Sequence, residues 1–145
     1  GIWDRGWLSA LIDGEGAIIL AKPKRPAGKR GRGYGWMPVL NISNTSRPLV
    51  EYARTLIGAG SIQVAPRKGY KTIFSLVVGS EGIRETLPEL TLIAKSGQKL
   101  LILEACKLLF DHNSWSTPHD VRLEEIRQEI SRLNRPNRPN RKRVV

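Results

Sequence analysis

The chain has 145 residues, of which 40% are hydrophobic, and a formal net charge of +11. This length supports one domain with a hydrophobic core and is short for two. No apolar run approaches the roughly 18 residues of a membrane span, and the start GIWDRGW lacks the regions of a signal peptide. We therefore expect a protein of the cytoplasm or of an organelle, with no membrane partner and no export signal. The single cysteine, Cys106, excludes an internal disulfide and a cysteine-rich metal site.

The positive charge is concentrated in two segments. Residues 16–80 contain eleven lysines and arginines against one acid, Glu51, and residues 135–145 contain five against none. Such segregation favours a polyanionic partner, and nucleic acid is the commonest one.

The first predicted element is a helix over residues 4–14, where apolar residues recur at helical spacing and Asp4 is placed to be the N-cap. A strand is predicted over residues 16–24. The basic stretch PKRPAGKRGRGYG, residues 23–35, is rich in glycine and proline and indicates a long loop or hairpin tip. A second strand follows over residues 36–44.

A second helix is predicted over residues 46–60, with Ser46 as its N-cap and Pro48 in its first turn. Two further strands, residues 61–67 and 71–79, flank the tight turn RKGY. Consecutive strands joined by short connections form antiparallel pairs.

The last part of the chain is helical in pattern, over residues 80–90, 96–112 and 117–133. The order α-β-β-α-β-β-α predicts an α+β fold, in which a four-stranded, mainly antiparallel sheet is backed by helices. We expect residues 1–134 to form the single domain. The tail, residues 135–145, repeats Arg-Pro-Asn without apolar periodicity, and we expect an electrostatic hold on nucleic acid.

Strand alternation places polar side chains on the sheet face opposite the core, while Ile62 and Val64 would face the helices. A sheet laid in the major groove of DNA needs such side chains, because arginine pairs with guanine and asparagine or glutamine with adenine. The predicted DNA-binding residues on the strands and their turn are Asn41, Ser43, Ser61, Gln63, Arg67, Lys68, Lys71, Ile73 and Ser75. Those in the basic loop are Lys24, Arg25, Lys29, Arg30, Arg32 and Tyr34.

The first helix carries a stripe of small residues, because Gly6, Ala10 and Gly14 recur every fourth position with Ser9 beside them. Small residues at this spacing let two helix backbones approach closely. Two such helices would bring the carboxylates of Asp13 and Glu15 together, which favours a divalent cation between them.

The stretch LSALIDGEG, Leu8 to Gly16, resembles the signature motif of the LAGLIDADG homing endonucleases. Leu8, Leu11, Ile12, Asp13 and Gly16 match the motif, and small residues stand at Ser9, Ala10 and Gly14. Glu15 occupies the position of the second acid, where the family's commonest residue is aspartate. The family's fold has the same order of elements, and the resemblance covers roughly residues 3 to 112.

The resemblance implies an intron-encoded, site-specific DNA endonuclease that hydrolyses phosphodiesters with Mg²⁺ or another divalent cation such as Mn²⁺. In that family the motif acid, here Glu15, and the carbonyl before it, here Gly14, bind the metal. Asp13 is then structural and caps the partner helix. Asn44 matches a polar position that orients the attacking water, and Lys95 and Gln98 match a basic and amide pair, of which the lysine stabilises charge on the phosphate.

Only one motif is present, whereas cutting both strands of a duplex needs two sites. The resemblance therefore implies a homodimer that meets through Gly6, Ser9, Ala10 and Asp13 of the motif helix and acts on a near-palindromic target. Three alternatives remain at this point: an RNA-binding intron maturase, a catalytically inactive DNA-binding module of the same fold, and a basic ribosome-associated protein. The last explains the charge and leaves the motif helix unexplained.

Overall fold

In the computed structural model, which describes residues 1–22, 35–110 and 117–135, four strands form one sheet and five α-helices pack against one face of it. The elements in chain order are α1 (Ile2–Glu15), β1 (Gly16–Ala21), β2 (Met37–Asn44), α2 (Arg47–Ile57), β3 (Ser61–Arg67), β4 (Tyr70–Val78), α3 (Ser80–Thr86), a 3₁₀ turn (Leu87–Glu89), α4 (Ser96–Phe110) and α5 (Thr117–Asn134). The predicted α+β fold is confirmed.

The sheet has the strand order β1-β2-β4-β3, and every neighbouring pair is antiparallel. Strands β1 and β3 are therefore its edges. A shift of register between Ala65 and Arg67 marks a bulge near the tight turn that joins β3 to β4.

The core lies between the sheet and the helices. Alternate strand residues on one face are buried, as period-two alternation requires: Ile18, Leu20, Leu40, Ile42, Leu76 and Val78. The helices meet them with buried apolar side chains, among them Leu8, Ile12, Val50, Ile83, Ile102 and Leu123. Cys106 lies in this core, and burial raises the pKa of its thiol to about 11, which leaves it inert.

Helix α2 begins and ends as its sequence predicts. The Ser46 hydroxyl accepts a hydrogen bond from the backbone N–H of Leu49 at 3.4 Å, and Pro48 lies in the first turn. Gly58 ends the helix with a φ of 77°, in the left-handed region that favours glycine.

Helix α5 covers one edge of the sheet. The Asn134 side-chain amide donates a hydrogen bond to the carbonyl oxygen of Ile18 in β1 at 2.9 Å, and the side chain of Asn134 accepts one from Gln98 in α4 at 3.2 Å. An edge strand leaves backbone groups unpaired, and a covering helix satisfies them. These hydrogen bonds of Asn134 to α4 and β1 thus fix the end of α5 beside the sheet.

Several predicted boundaries are wrong. Helix α1 begins at Ile2, so Asp4 is not its N-cap but lies inside the first turn, where its carboxylate accepts a 2.6 Å hydrogen bond from the Tyr52 hydroxyl. The first strand ends at Ala21, and the segment 80–90 divides into α3 and a 3₁₀ turn. Val64 lies on the core side of the sheet but is 51% exposed, because the edge strand β3 has few contacts with α2.

Among the residues predicted to bind DNA, the basic loop residues lie outside the described part of the chain: Lys24, Arg25, Lys29, Arg30, Arg32 and Tyr34. The tail beyond Arg135 also lies outside it. Within the described residues, no helix is both long enough and apolar enough to cross a membrane.

Candidate functional site

The candidate site lies at the C-terminal end of α1, where the chain enters the sheet. Gly16 ends the helix in an extended conformation, and a Cβ on it would lie 2.8 Å from the carbonyl oxygen of Ile12. Glycine is therefore required at this position. Glu15, the last helical residue, is exposed.

Asn44 holds the Glu15 carboxylate. The Asn44 amide nitrogen donates a 2.8 Å hydrogen bond to Oε2 of Glu15, although 29 positions separate the two residues in sequence. The Asn44 amide oxygen accepts from the backbone N–H of Ser46, also at 2.8 Å. An amide has one accepting and one donating end, so the contact with Ser46 directs the nitrogen toward Glu15. Sequence reasoning missed this function of Ser46, although the spacing Asn-x-Ser before a helix is a signal for it.

Lys95 is anchored to the same end of α1. Its ammonium nitrogen Nζ donates to the carbonyl oxygen of Asp13 at 2.5 Å, and the side chain is half-buried. The last four carbonyls of a helix lack partners within the helix and carry its negative dipole end, so a cation is favoured there. The structure thus brings Glu15, Asn44 and Lys95 to one helix end.

The Asp13 carboxylate contacts backbone groups of its own chain, and its expected role at a partner helix stays a prediction. It accepts hydrogen bonds from the backbone N–H groups of Ile93 at 2.7 Å and Lys95 at 3.0 Å. Burial tends to raise the pKa of this carboxyl, but the N–H groups of Ile93, Lys95 and Ala94 and the charge of Lys95 outweigh it, and the net pKa is lowered. Asp13 is therefore ionised and satisfied without a second chain.

Gln98 was predicted to belong to this cluster, but its side chain lies elsewhere. Its side chain is 5% exposed, and its amide donates to Asn134 at the end of α5. A residue that contacts a phosphate needs a face open to DNA, so burial is the physical reason for reassigning Gln98 to structure. Sequence spacing could not separate these two uses of an amide.

The small residues of α1 divide between two faces. Gly6, Ala10 and Gly14 are exposed, and a Cβ added at either glycine would meet nothing within 4 Å. Ser9, in contrast, is 8% exposed and its hydroxyl accepts from the N–H of Thr91 at 3.2 Å. Ser9 therefore belongs to the interior of its own chain, because its hydroxyl fastens the segment before α4.

An open groove of about 610 Å³ runs along this exposed side of α1. Gly6, Ala10 and Gly14 line one wall, and Ile93, 82% exposed, lines the other. Near the start of the helix Trp3 is 88% exposed. An apolar helix face that its own chain leaves uncovered is available to a partner.

The sheet face opposite the helices is polar along its centre. In the observed register, Ser43 of β2, Ser75 of β4 and Gln63 of β3 lie side by side across the sheet. The hydroxyls of Ser43 and Ser75 are 2.8 Å apart, and Ser43 also donates to Asn41 at 3.0 Å. The remaining strand residues predicted on this face, and placed there by the register, are Ser61 and Ile73.

The turn between β3 and β4 carries the cations of this face. Arg67, Lys68 and Lys71 are all exposed. The Arg67 guanidinium donates to the carbonyl of Lys71 at 3.0 Å and lies 5.4 Å from the centre of the Tyr70 ring, which holds it at the tip of the hairpin. A fixed guanidinium at a protruding turn is suited to a phosphate contact.

The oxygen atoms at the end of α1 suit a hard divalent cation whose remaining ligands come from other molecules. Glu15 supplies one oriented carboxylate, and the helix end supplies backbone carbonyls. Within the described ranges, no three histidine, cysteine or acidic side chains converge on one point. Mg²⁺ is commonly bound by one or two carboxylates together with substrate phosphates, so one oriented carboxylate beside backbone carbonyls fits part of such a ligand set.

No family profile and no curated protein matches the chain, but solved structures do. The homing endonuclease I-CvuI, in complex with a DNA target in the presence of Mg, aligns at 20% identity with a TM-score of 0.73, over 96% of this chain and 89% of that one. The archaeal intron-encoded homing endonuclease I-Vdi141I, complexed with DNA, aligns at 19% identity with a TM-score of 0.76 over the same shares.

A third structure differs in length. The LAGLIDADG homing endonuclease I-SmaMI, bound to cleaved DNA, aligns at 20% identity with a TM-score of 0.66, over 94% of this chain and 51% of that one. This chain therefore corresponds to about half of I-SmaMI.

Proposed function

We propose that this chain, which has the fold of the LAGLIDADG homing endonucleases, is a site-specific DNA endonuclease that cleaves both strands of a near-palindromic duplex as a homodimer with Mg²⁺. The observation that carries the proposal is the 2.8 Å contact by which Asn44 orients the carboxylate of Glu15. The contact fixes the direction of an exposed carboxylate at the same helix end as Lys95, and metal-binding carboxylates are oriented by hydrogen bonds of this kind. The DNA complexes of I-CvuI and I-Vdi141I support DNA as the substrate.

The residues at the end of α1 have separate roles in binding the metal, orienting water and contacting the phosphate. Glu15 and the Gly14 carbonyl would hold the cation, which would supply electrostatic stabilisation of the attacking and leaving oxygens of the phosphate. Asn44 keeps one N–H and one lone pair beyond its two described contacts, so it can also orient a water molecule. Lys95 uses one of its three N–H donors on Asp13 and directs the others at charge that develops on the phosphate.

The open sheet face and the basic segments bind the duplex. The polar row of Asn41, Ser43, Gln63 and Ser75 contacts base edges in the major groove, and the cations of the β3–β4 turn contact phosphates. The basic loop and the tail contribute further lysines and arginines, as their sequence shows. These cations strengthen binding to phosphates without specifying a base.

A second copy completes the site. This chain carries one motif and supplies one oriented carboxylate, whereas the aligned I-SmaMI chain is about twice as long. We propose that Gly6, Ala10 and Gly14 of two chains pack against each other, because nothing in the chain itself occupies the space above these glycines. This contact would bring the two Glu15 carboxylates to the centre of the dimer.

Substitution Glu15→Gln tests the catalytic role. The amide keeps the size of the side chain and can still accept from Asn44, but it loses the charge that binds Mg²⁺. We expect cleavage of a selected duplex to slow at least ~100-fold. Losing a group that only supports a metal ligand already costs up to about 100-fold, and Glu15 is the proposed ligand itself. Binding of the same duplex without metal should stay within about twofold of wild type, as measured by filter binding.

Glu81→Gln is the matched control, because Glu81 is an exposed acid of α3 and loses the same charge. Its cleavage rate should equal that of the wild-type protein. If Glu15→Gln folds, binds and cuts as fast as wild type, the proposed function is wrong.

A further inference from the structure

Helix α1 carries a negative charge where its dipole disfavours one. Asp13 lies in the last turn, which contains no basic residue, and the end of a helix is already negative. The cost must be offset by contacts outside the helix. These contacts all lead to one segment, the residues that precede α4.

The Asp13 carboxylate serves the beginning of α4. Its two oxygens accept from the N–H groups of Ile93 and Lys95, and the Lys95 carbonyl accepts from the N–H of Lys99. Lys95 therefore stands at the N-cap position of α4, where backbone N–H groups lack helical partners and the dipole is positive. Asp13 therefore fixes the backbone of the segment just before α4, at Ile93 and at the N-cap residue Lys95.

The side chain of Lys95 also contacts Asp13. Its ammonium nitrogen reaches the backbone carbonyl of the same Asp13, at the negative end of α1. One residue of α1 thus fixes both the backbone and the side-chain terminus of Lys95. This geometry places the ammonium at the carbonyl two residues before Glu15, rather than leaving a long side chain free in solvent.

A second hydrogen bond holds the same segment against α1 without contacting Lys95. It allows the effect of Asp13 on Lys95 to be distinguished from its effect on the position of the segment. The Ser9 hydroxyl, one turn earlier in α1, accepts from the N–H of Thr91. This contact holds the segment against the helix but touches no atom of Lys95.

We infer that Asp13 is a positioning residue for Lys95: its carboxylate and carbonyl together hold the lysine ammonium at the phosphate-facing end of α1 before DNA binds. The inference rests on the proposed function, since it concerns the group that faces the phosphate. It differs from the role expected from the sequence, in which Asp13 caps a partner helix.

A double-mutant cycle tests the inference in the full-length protein. Asp13→Asn replaces one accepting oxygen with an amide that donates, so one of its two backbone contacts is lost. We expect single-turnover cleavage at saturating DNA and Mg²⁺ to fall about 10-fold in Asp13→Asn and about 100-fold in Lys95→Ala. If Asp13 acts through Lys95, adding Asp13→Asn to Lys95→Ala should slow cleavage less than about twofold further.

Asp4→Asn is the control, because it makes the same chemical change on the same helix, where the carboxylate contacts Tyr52 instead. It should leave the rate unchanged. If the effects of Asp13→Asn and Lys95→Ala multiply independently, Asp13 does not act through Lys95 and the inference is overturned.

A readout without cleavage separates this inference from the proposed function. The Lys95 amine, held on a carbonyl, should react several-fold faster with acetic anhydride at fixed pH in Asp13→Asn than in wild type, as measured by mass spectrometry of the digested protein. Ser9→Ala should leave this rate near that of wild type. Equal reactivity in Asp13→Asn and wild type overturns the inference, whereas increased reactivity in a protein that cuts no DNA supports the positioning and rejects the nuclease.

Discussion

At the scale of single residues, the candidate site depends on the direction of one amide. The oxygen of Asn44 is occupied by the N–H of Ser46, which starts α2, so its nitrogen points to Glu15. Ser46 in turn caps α2 with its own hydroxyl. The start of α2 therefore orients the carboxylate that ends α1.

Substitution Asn44→Ala should weaken metal use more than it weakens the fold. Ser46 still caps α2 in this variant, so we expect the melting temperature to stay within a few degrees of wild type. Without the amide, the Glu15 carboxylate rotates freely, and the Mg²⁺ concentration for half-maximal cleavage should rise about 10-fold. A magnesium titration of cleavage measures this, with Thr45→Ala as the neighbouring control. An unchanged midpoint would show that Asn44 does not orient Glu15.

The sequence predicts some of these residues and misses others, for reasons that concern backbone geometry. The assignments of Glu15, Asn44 and Lys95 all follow from the family resemblance. The burial of Gln98 depends on α5, which packs from 36 positions away at Asn134, and no local pattern shows that contact. The donors to the Asp13 carboxylate are the backbone N–H groups of Ile93 and Lys95, and a backbone N–H leaves no signal in a sequence pattern.

At the scale of elements, α4 and α5 are joined by an ion pair between helices. The Arg122 guanidinium in α5 donates to both carboxylate oxygens of Glu104 in α4, at 2.5 and 2.8 Å. The hydrogen bond from Arg122 lowers the pKa of Glu104 below its usual 4.5. Within α5, Arg127 lowers the pKa of Glu124 in the same way, to about 2.

These depressed pKa values predict a loss of stability in acid. A carboxyl whose folded pKa lies below its unfolded value stabilises the fold fully above about pH 4.5 and ceases to do so as the pH falls toward the folded pKa, about 2 for Glu124. Solvent screens the Glu104 pair, whose side chains are 41% and 42% exposed, so we expect it to contribute at most about 1 kcal/mol.

Melting curves recorded by circular dichroism between pH 6 and pH 2.5 measure this effect. The melting temperature of Glu104→Gln should lie below wild type at pH 6 and approach it at the acid end. Glu81→Gln should follow the wild-type curve more closely. Parallel curves for Glu104→Gln and wild type would show that this pair does not contribute to acid sensitivity.

The elements themselves are the part of the fold that the sequence predicts best. Period-two alternation and turn residues determine which side of each strand is apolar, and the observed register agrees for Ile62 and Gln63. The exposure of Val64 could not be predicted, because it depends on how far α2 extends over the edge strand. The placement of α5 along β1 combines the burial of Leu123, Ile126 and Ile130 in the core with the contact from Asn134 to the carbonyl of Ile18, and neither is visible in a local pattern.

At the scale of the whole molecule, the surface offers two distinct faces. The open sheet face carries polar side chains and the hairpin cations, and the exposed side of α1 carries small residues with Trp3 and Ile93 beside them. Charge alone predicts a nucleic-acid partner, and small residues alone predict a helix contact. Both faces converge at Glu15, because α1 ends where β1 begins. This convergence is the reason to expect one dimeric enzyme rather than a binding module.

The most direct test is to incubate the protein with randomised DNA duplexes, with Mg²⁺ or with a chelator, and to sequence the ends produced. The account predicts ends that appear only with Mg²⁺ and converge on one near-palindromic site, since two identical chains read two half-sites. A sequence retained on the protein without any recurring ends would contradict the proposed cleavage and identify a DNA-binding module.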